Sequence, residues 1–449
     1  MKKVFLLTVT SIFLVLVLAG CGGGNNNTTM TSASPGNATL NTGDGTNDQI
    51  LKFELTISAV TFTGSGGTPN TGNLISHPVE VEFVHEAGTF EHLADVNLPP
   101  GTYSGATLSV SNPEVVVLVG GAPTKIPATL TSSTISVNFK PAITITSNNS
   151  AVIDFDLDLA SSVTLNGNPP NSATVSATFN VTTTTVNPDK EEDDDNGEIE
   201  DVHGKVTNIM APNFTIQTEE GTITFATDSN TQFRGIVTSL SQLKVNDIVE
   251  VDGMTKSDGT KLATKVEVDE QDNEGMEVEG VISAVTGSPA TQITITHQVD
   301  SDDNPNPPVT VDVAINSNTQ FVVRADKLTM GSAPAFDASH IGKGQRVEAD
   351  SPSNTSTPIV ADKIKLREQA LVGTVAATPA PSASGFTLNL NPSSAFATLT
   401  GQTSVAVTIV SGTREDVTPA AGNTVRVRGL VFVNAGTYTM IAAHIDDNP

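Results

Sequence analysis

Short runs in which apolar and polar residues alternate recur along the chain from residue 50 onward. Val79, Val81 and Phe83 alternate with glutamates, and a second alternating run covers residues 151–159. A period of two is typical of a β-strand with one buried face, whereas the continuous apolar run 115–119 fits a strand buried on both faces. Clusters of Gly, Pro, Asn and Ser separate these runs. The pattern predicts an all-β protein that begins with a β-sandwich over residues 50–186.

The second half of the chain repeats itself. The sequence SNTQF stands at residues 229–233 and again at 317–321, with a weaker counterpart, SGTRE, at 411–415. In the first repeat, five predicted strands with a short helical segment between the third and fourth indicate a small OB-like β-barrel. The repeats are unequally spaced, which favours tandem globular domains over a solenoid. The predicted repeats span residues 202–270, 276–368 and 370–449.

Two segments have too few apolar residues to form a core. Residues 21–49 are rich in Gly, Asn, Thr and Ser, and we expect a disordered tether there. Residues 187–201 form an acidic linker, because nine of the thirteen residues from 189 to 201 are acidic and repel one another.

The first residues have the pattern of a targeting segment. Lys2 and Lys3 precede a largely apolar run, Val4 to Leu18, which is too short for an ordinary bilayer span. The run ends in LAGC, which resembles the lipobox of bacterial lipoproteins. The resemblance implies a signal peptide over residues 1–20 and a lipidated Cys21 at the mature N-terminus; the alternative is an uncleaved anchor helix. Gly22, where some lipoproteins have Asp, implies sorting to the outer membrane by the same resemblance.

Two further resemblances cover the body of the chain. LPPGTY at 98–103 and the run 151–159 resemble an uncharacterised N-terminal β-domain of bacterial lipoproteins, in which we expect the Tyr103 hydroxyl to fix the turn. The repeats resemble a second uncharacterised bacterial family, which is expected to form OB-like barrels in tandem. Neither family has an established activity that could be transferred to this chain.

Composition narrows the classes of function. The net charge is -27, aromatic residues make up 4% and Trp is absent, so we predict no nucleic-acid partner and little stacking on sugars. The single Cys allows no intrachain disulfide, and its assignment to lipidation leaves no thiol nucleophile. The motifs of serine hydrolases, P-loop proteins and dinucleotide-binding proteins do not occur. These observations predict a protein that is not an enzyme.

Metal ligation is the chemistry that the sequence leaves open. His85 and His92 lie among glutamates and could contribute to a zinc site, although Gly88 indicates a hairpin rather than a zinc-binding helix. Asp194 and Asn196 fall at ligand positions of a calcium loop, but that loop ends at His203 instead of a bidentate Glu. No cofactor is predicted, with calcium at the acidic linker as the alternative.

These features predict a lipid-anchored protein of the cell envelope, in the outer membrane, with a non-catalytic display, spacer or interaction role. The predicted partners are the membrane, through lipidated Cys21, and envelope or matrix proteins or polysaccharide, with nucleic acid excluded. The alternatives are a calcium- or carbohydrate-binding surface module and a periplasmic metal-dependent enzyme.

Overall fold

The computed structural model describes residues 36–45, 48–84, 90–147, 150–186, 197–218, 221–268, 276–297, 309–323, 328, 334–351 and 358–447. All of them belong to one unit of the chain, Ser34–Pro449. Cys21, His85, Asp194 and Asn196, which the sequence singles out, lie outside the described residues.

Strands form nearly all of the regular structure in these ranges, and the predicted all-β class is confirmed. The N-terminal domain contains β1 (Gly36–Gly45), β2 (Ile50–Ser65), β3 (Val79–Glu82), β4 (Phe90–Leu98), β5 (Gly101–Val119), β6 (Ala122–Ile126), β7 (Ala128–Leu130), β8 (Thr134–Ile145), β9 (Ser150–Asp158), α1 (Leu159–Ser162), β10 (Val163–Asn166), β11 (Ser172–Val175) and β12 (Phe179–Thr185).

Two main sheets of this domain pack face to face. One sheet has the order β12-β9-β1-β4, and the other has the order β3-β2-β5-β6 with β8 paired to β5; a small third sheet has the order β10-β11-β7. Side chains from both main sheets, such as Phe155 and Phe53, share one hydrophobic core. This arrangement is a β-sandwich, because each sheet buries one face against the other.

The turn at LPPGTY is fixed as the sequence predicts. The buried Tyr103 hydroxyl donates a hydrogen bond to the carbonyl oxygen of Pro99 at 2.9 Å. Its ring packs edge-on against Phe62, with 5.8 Å between the ring centroids. The tyrosine thus ties the start of β5 to the preceding loop.

Part of the predicted tether is folded, which corrects the sequence-based expectation. Residues 36–45 form β1, which pairs antiparallel with β4 and parallel with β9. Ala38 and Leu40 enter the core, while Thr39 and Asn41 bond Asp95 and Asp154 on the neighbouring strands. Two apolar residues suffice here because the strand lies between two others, which supply partners for its backbone hydrogen-bonding groups.

The repeats supply the remaining elements. They are β13 (Glu198–Met210), β14 (Asn213–Gln217), β15 (Thr222–Ala226), β16 (Gln232–Gly235), a 3-10 helix (Leu240–Gln242), β17 (Ile248–Thr255) and β18 (Lys261–Val268) in the first; β19 (Met276–Gly287), β20 (Ala290–His297), β21 (Thr310–Ala314), β22 (Gln320–Val323), β23 (Arg346–Ser351), β24 (Ile359–Val360) and β25 (Lys363–Leu366) in the second; and β26 (Gln369–Val375), β27 (Gly385–Leu390), α2 (Ala395–Thr400), β28 (Ser404–Glu415), β29 (Thr424–Asn434) and β30 (Thr437–Asp446) in the third.

Each repeat curls its strands towards closure. The first has the order β15-β14-β13-β17-β18-β16, and an extra pairing of β15 with β18 completes the ring. The second has the order β22-β25-β23-β19-β20-β21-β24, and the third is a closed barrel, β26-β27-β28-β30-β29. These curled sheets have the build of OB-like barrels.

The sandwich and the repeats share apolar surface with one another. The core of the second repeat takes in Leu430, Phe432 and Ile441 from the third repeat. On the outer face of the sandwich, Val116 packs with Ala395 of the third repeat. This contact explains why the run 115–119 is apolar at successive positions, since β5 is covered on both faces.

Candidate functional site

Charged residues, most of them buried, gather where the domains meet, and they are the most distinctive chemical feature of the described residues. The first group joins the sandwich to the first repeat. The Lys261 Nζ atom lies 2.6 Å from Asp95 Oδ1 and 3.2 Å from the Thr39 hydroxyl oxygen. The His92 Nε2 atom lies 3.3 Å from Asp95 Oδ2.

Asp95 is held in its charged form at this junction. Burial by itself raises the pKa of a carboxyl group, but the hydrogen bond from His92 and the positive charge of Lys261 outweigh burial. Together they hold the pKa of Asp95 well below its usual range. The charge of Lys261, which is 4% exposed, is thereby balanced.

The metal hypothesis gains no ligand set among the described residues. His92 lies beside Asp95, which is already paired with the Lys261 ammonium group, whereas zinc needs about three convergent ligands. Within the ranges that the structure describes, no group of three or more His, Cys, Asp or Glu side chains is placed to hold a metal ion. The calcium candidates Asp194 and Asn196, and the zinc candidate His85, lie outside those ranges and stay predictions.

A second charged group lies on the outer face of the sandwich. Cross-strand pairing places Glu82, Glu54 and Glu114 side by side on β3, β2 and β5. The Lys52 Nζ atom lies 2.6 Å from Glu54 Oε1 and 3.6 Å from Glu114 Oε1. Lys52 also pairs across the strands with Val116, the residue that packs towards the third repeat.

The pKa of Glu54 lies far above its ordinary value. Burial raises the pKa of Glu54 to about 8; Lys52 opposes this shift, and the neighbouring Glu82 and Glu114 add to it. Three carboxyl groups with one buried ammonium group between them are not all ionised at low cost. A proton is therefore retained in this cluster at neutral pH.

A third group joins the first and second repeats. The Arg367 Nη1 atom lies 3.6 Å from Glu250 Oε2 in the first repeat and 3.4 Å from Glu348 Oε2 in the second. Each glutamate also has a lysine of its own repeat: Lys265 lies 2.9 Å from Glu250, and Lys365 pairs with Glu348. All five side chains are buried, so Arg367 bridges two buried ion pairs.

The second and third repeats meet through polar contacts to backbone. Gln345 accepts a hydrogen bond from the Gly342 amide at 2.7 Å and donates one to the Val431 carbonyl oxygen at 2.8 Å. The Tyr438 hydroxyl donates to the Lys343 carbonyl oxygen at 2.9 Å. These bonds secure the segment 342–345 of the second repeat against the third barrel.

The repeated SNTQF motif has a structural role in each barrel. Its threonine hydroxyl donates to a carbonyl oxygen at, or just before, the last strand, at 2.7 Å in each case: Thr231 to Ala263, Thr319 to Ala361 and Thr413 to Ala442. In the first two repeats the residues that follow begin a strand parallel to the last strand, and in the third repeat they are the final residues of β28, which is parallel to β30. The motif therefore forms the corner that brings the chain onto the barrel.

Comparison with known proteins matches one part of the chain to a family model. Residues 203–267 match the model of a family described as a domain of unknown function (DUF5666), which covers the first repeat. Comparison with curated proteins gives no match. Among the described residues, no helix has the length and apolar character needed to cross a membrane.

Two solved structures are similar to parts of the chain at low identity. One is "drosophila Unr CSD456", with 11% identity and a TM-score of 0.13; the match covers 55% of this chain and 96% of that one. The other is a multidomain protein with nucleic acid binding domains from Streptococcus pneumoniae TIGR4, with 13% identity and a TM-score of 0.11. This match covers 54% of this chain and 72% of that one. TM-scores this low carry no argument about the function of this chain.

The predicted set of partners, including the exclusion of nucleic acid, is contradicted. One of the two solved structures is titled as having nucleic acid binding domains, and this is the finding that stands against the exclusion. The exclusion relied on the net charge of the whole chain and on its few aromatic residues, and residues 187–201, with nine acids and one lysine, contribute -8 of the net charge of -27. A whole-chain charge does not describe the potential of one local surface.

Proposed function

We propose that this chain is a lipid-anchored protein of the cell envelope, sorted to the outer membrane, and that its β-domains have a non-catalytic display or spacer role. The observation that carries the proposal is the leader. A basic start, an apolar run of signal-peptide length and LAGC with the single Cys of the chain occur together at residues 2–21. Acyl chains on Cys21 contribute about 0.8 kcal/mol for each CH₂ that enters the bilayer.

The folded part supports a role in presentation. The sandwich and the barrels contact one another through ion pairs and shared apolar surface and are not independent domains joined only by linkers. Loops on such a rigid scaffold are held in fixed positions, which is what a display or spacer protein requires. Charged side chains such as Lys261 and Arg367 have a structural explanation at the junctions, without an appeal to catalysis.

Metabolic labelling with a palmitate analogue tests the proposal. We expect the wild-type chain to incorporate the label and to sediment with membranes, whereas Cys21→Ser abolishes labelling because Ser cannot form the thioether. Gly22→Ser is the matched control, since it changes the adjacent residue and keeps the thiol. An unlabelled wild-type chain, or a Cys21→Ser chain that is labelled equally, would refute the anchor.

A further inference from the structure

Three large apolar side chains are exposed on the first repeat. Met210, Ile236 and Val245 are 69%, 54% and 51% exposed within the whole chain. In the part of the chain that the structure describes, Val360 of the second repeat is the one other large apolar side chain exposed in this way, at 37%. A single exposed apolar residue is ordinary, whereas several that share one surface mark contact with a membrane or a partner.

The register of the strands places the three residues together. β13 is antiparallel to β17, with Lys205 opposite Ile248, the first residue of β17. The last residue of β13, Met210, and the segment before β17 therefore lie at the same end of the barrel. β16 and β18 are parallel and both finish beside the start of β17, since Gly235 lies opposite Val268. All three exposed residues thus belong to one end of the barrel, which we call the apolar end.

The opposite end of this barrel contacts the sandwich. There the turn between β17 and β18 accepts two hydrogen bonds, one from the Ser150 amide to the Ser257 carbonyl oxygen at 3.1 Å and one from Asn37 Nδ2 to the Asp258 carbonyl oxygen at 3.2 Å. Asn37 belongs to the start of β1, so the chain enters the sandwich beside this opposite end. β17 has eight residues. At about 3.3 Å per residue, the two ends of the barrel are roughly 26 Å apart.

The segment before β1 is long enough for the apolar end to reach a bilayer. Fifteen residues, 21–35, precede β1 and begin with the proposed lipidated Cys21. A chain of that length spans at most about 50 Å, which is about twice the span of β17. A bilayer that holds Cys21 is therefore within reach of the apolar end, and this step rests on the proposed function.

The surroundings of the apolar end suit lipid headgroups. Lys244 precedes Val245, and Lys205 lies close by, because the Asn246 amide donates to the Val206 carbonyl oxygen at 2.8 Å. Both lysines are exposed. Their hydrocarbon stems can lie beside aliphatic side chains while their ammonium groups meet lipid phosphates. The three exposed apolar side chains have no aromatic ring for stacking on bases, which favours a lipid surface over nucleic acid.

We propose that the apolar end is a membrane-contact surface, at which Met210, Ile236 and Val245 enter the interface of a bilayer and Lys205 and Lys244 contact headgroup phosphates. Burial of the aliphatic side chains supplies the affinity. Such a contact orients the first repeat on the membrane, whereas an acyl anchor alone leaves it free to rotate.

Tryptophan fluorescence on vesicles tests this inference. The chain has no Trp and a single Cys, so Met210→Trp introduces one reporter, and residues 21–449 can be coupled through the Cys21 thiol to a maleimide lipid. Removal of the leader keeps the compact unit of the chain whole. The vesicles are phosphatidylcholine, with or without bromine on the acyl chains, because this lipid has no net charge and four acids in residues 269–275 follow β18. Val360→Trp is the matched control.

We expect brominated lipid to remove more than half of the Met210→Trp fluorescence and to leave that of Val360→Trp unchanged. Ile236→Asp and Val245→Asp, added together to Met210→Trp, should abolish the quenching, because burying a charge in an apolar environment is costly. Val360→Asp, added in the same way, should leave the quenching as it was.

An unquenched Met210→Trp overturns the inference, and so does equal quenching of the two reporters or quenching that survives Ile236→Asp with Val245→Asp. If that double variant does not fold, the comparison of the two reporters decides. A saturable response of Met210→Trp to a single-stranded DNA oligonucleotide, without quenching by lipid, would assign the apolar end to nucleic acid instead. Chemical coupling replaces acylation here, so a native Cys21 without acyl groups would refute the anchor and leave this measurement unaffected.

Discussion

Glu54 and Lys52 lie inside β2 with less than a tenth of their surface exposed, although both are charged types of residue. Their neighbours on β3 and β5 include two more glutamates. The ammonium group of Lys52 and the proton retained on Glu54 reduce the cost of burying these carboxyl groups. Charged residues buried in this way make stability depend on pH, because the folded and unfolded chains bind protons differently.

Glu54→Gln is predicted to reduce this dependence. The pKa of Glu54 rises from 4.5 to about 8 on folding, so between these values the folded chain holds a proton that the unfolded chain releases. The free energy of unfolding of the wild-type chain therefore falls as pH rises from 5 to 8, by roughly a few kcal/mol. Gln does not ionise, and the variant is expected to be the more stable chain at pH 8.

Urea unfolding at pH 5 and pH 8 measures this difference. Glu415→Gln, at an exposed site, is the control and should follow the wild-type pH dependence. If Glu54→Gln and wild type lose the same stability between the two pH values, Glu54 does not hold its proton in the folded protein.

At the residue scale, sequence reasoning identified contacts that are local in the chain and missed those that are distant. Tyr103 bonds Pro99 as predicted, since both lie in one turn motif. Lys261 was not expected to be buried, because its partner Asp95 precedes it by 166 residues and belongs to another domain. An isolated lysine at the start of a strand has the same pattern as a solvent-exposed residue, so the sequence carries no local signal of this pair.

At the scale of elements, the SNTQF corner links sequence repetition to barrel construction. In the second repeat the Thr319 hydroxyl accepts from the Asn316 amide at 3.1 Å and donates to the Ala361 carbonyl oxygen at 2.7 Å. One hydroxyl thereby satisfies two backbone groups that would otherwise lack partners at the corner. This requirement accounts for the recurrence of threonine at the same motif position in the third repeat, whose motif is otherwise divergent.

Thr319→Val is predicted to destabilise the second repeat by about 1–3 kcal/mol, because the isosteric methyl group leaves those two backbone groups without a bond. Thr319→Ser keeps the hydroxyl and should lose much less. Thermal unfolding of both variants beside wild type gives the comparison. A loss for Thr319→Val that is no greater than the loss for Thr319→Ser would contradict the role of the hydroxyl at this corner.

Strand β1 shows the limit of composition as a guide to an element. Gly36–Gly45 contains Asn, Thr, Gly and Asp with only two apolar residues that enter the core, which is the composition of a linker. It is ordered as a strand because β4 and β9 supply hydrogen bonds on both of its edges. Such support depends on tertiary pairing, and no pattern within the ten residues reveals it.

At the scale of the molecule, charged junctions make the repeats depend on one another. The sequence predicted separate tandem domains, since each repeat has its own set of strands and its own corner motif. The structure instead extends the apolar core of the second repeat onto side chains of the third, and it places Arg367 between the carboxylates of the first and second repeats. The repeats could be identified from the sequence, but their packing could not, because it joins positions that are distant in the chain, such as Gln345 and Val431, which are 86 residues apart.

Arg367→Leu is predicted to lower the free energy of unfolding by about 3–5 kcal/mol, because Glu250 and Glu348 lose a shared buried cation. We also expect the first repeat to become sensitive to limited proteolysis before the second. Arg234→Leu, at an exposed position, serves as the control. Unfolding of Arg367→Leu at the same urea concentration as the control would contradict the proposed coupling of the repeats.

Mass spectrometry of the N-terminal peptide of the native protein, isolated from cell membranes, tests the central claim most directly. The account predicts a peptide that begins at Cys21 and carries the mass of its acyl groups. Recovery of the chain from the cytosol with Met1–Gly20 still attached, or of a membrane-bound chain with an unmodified Cys21, would contradict it.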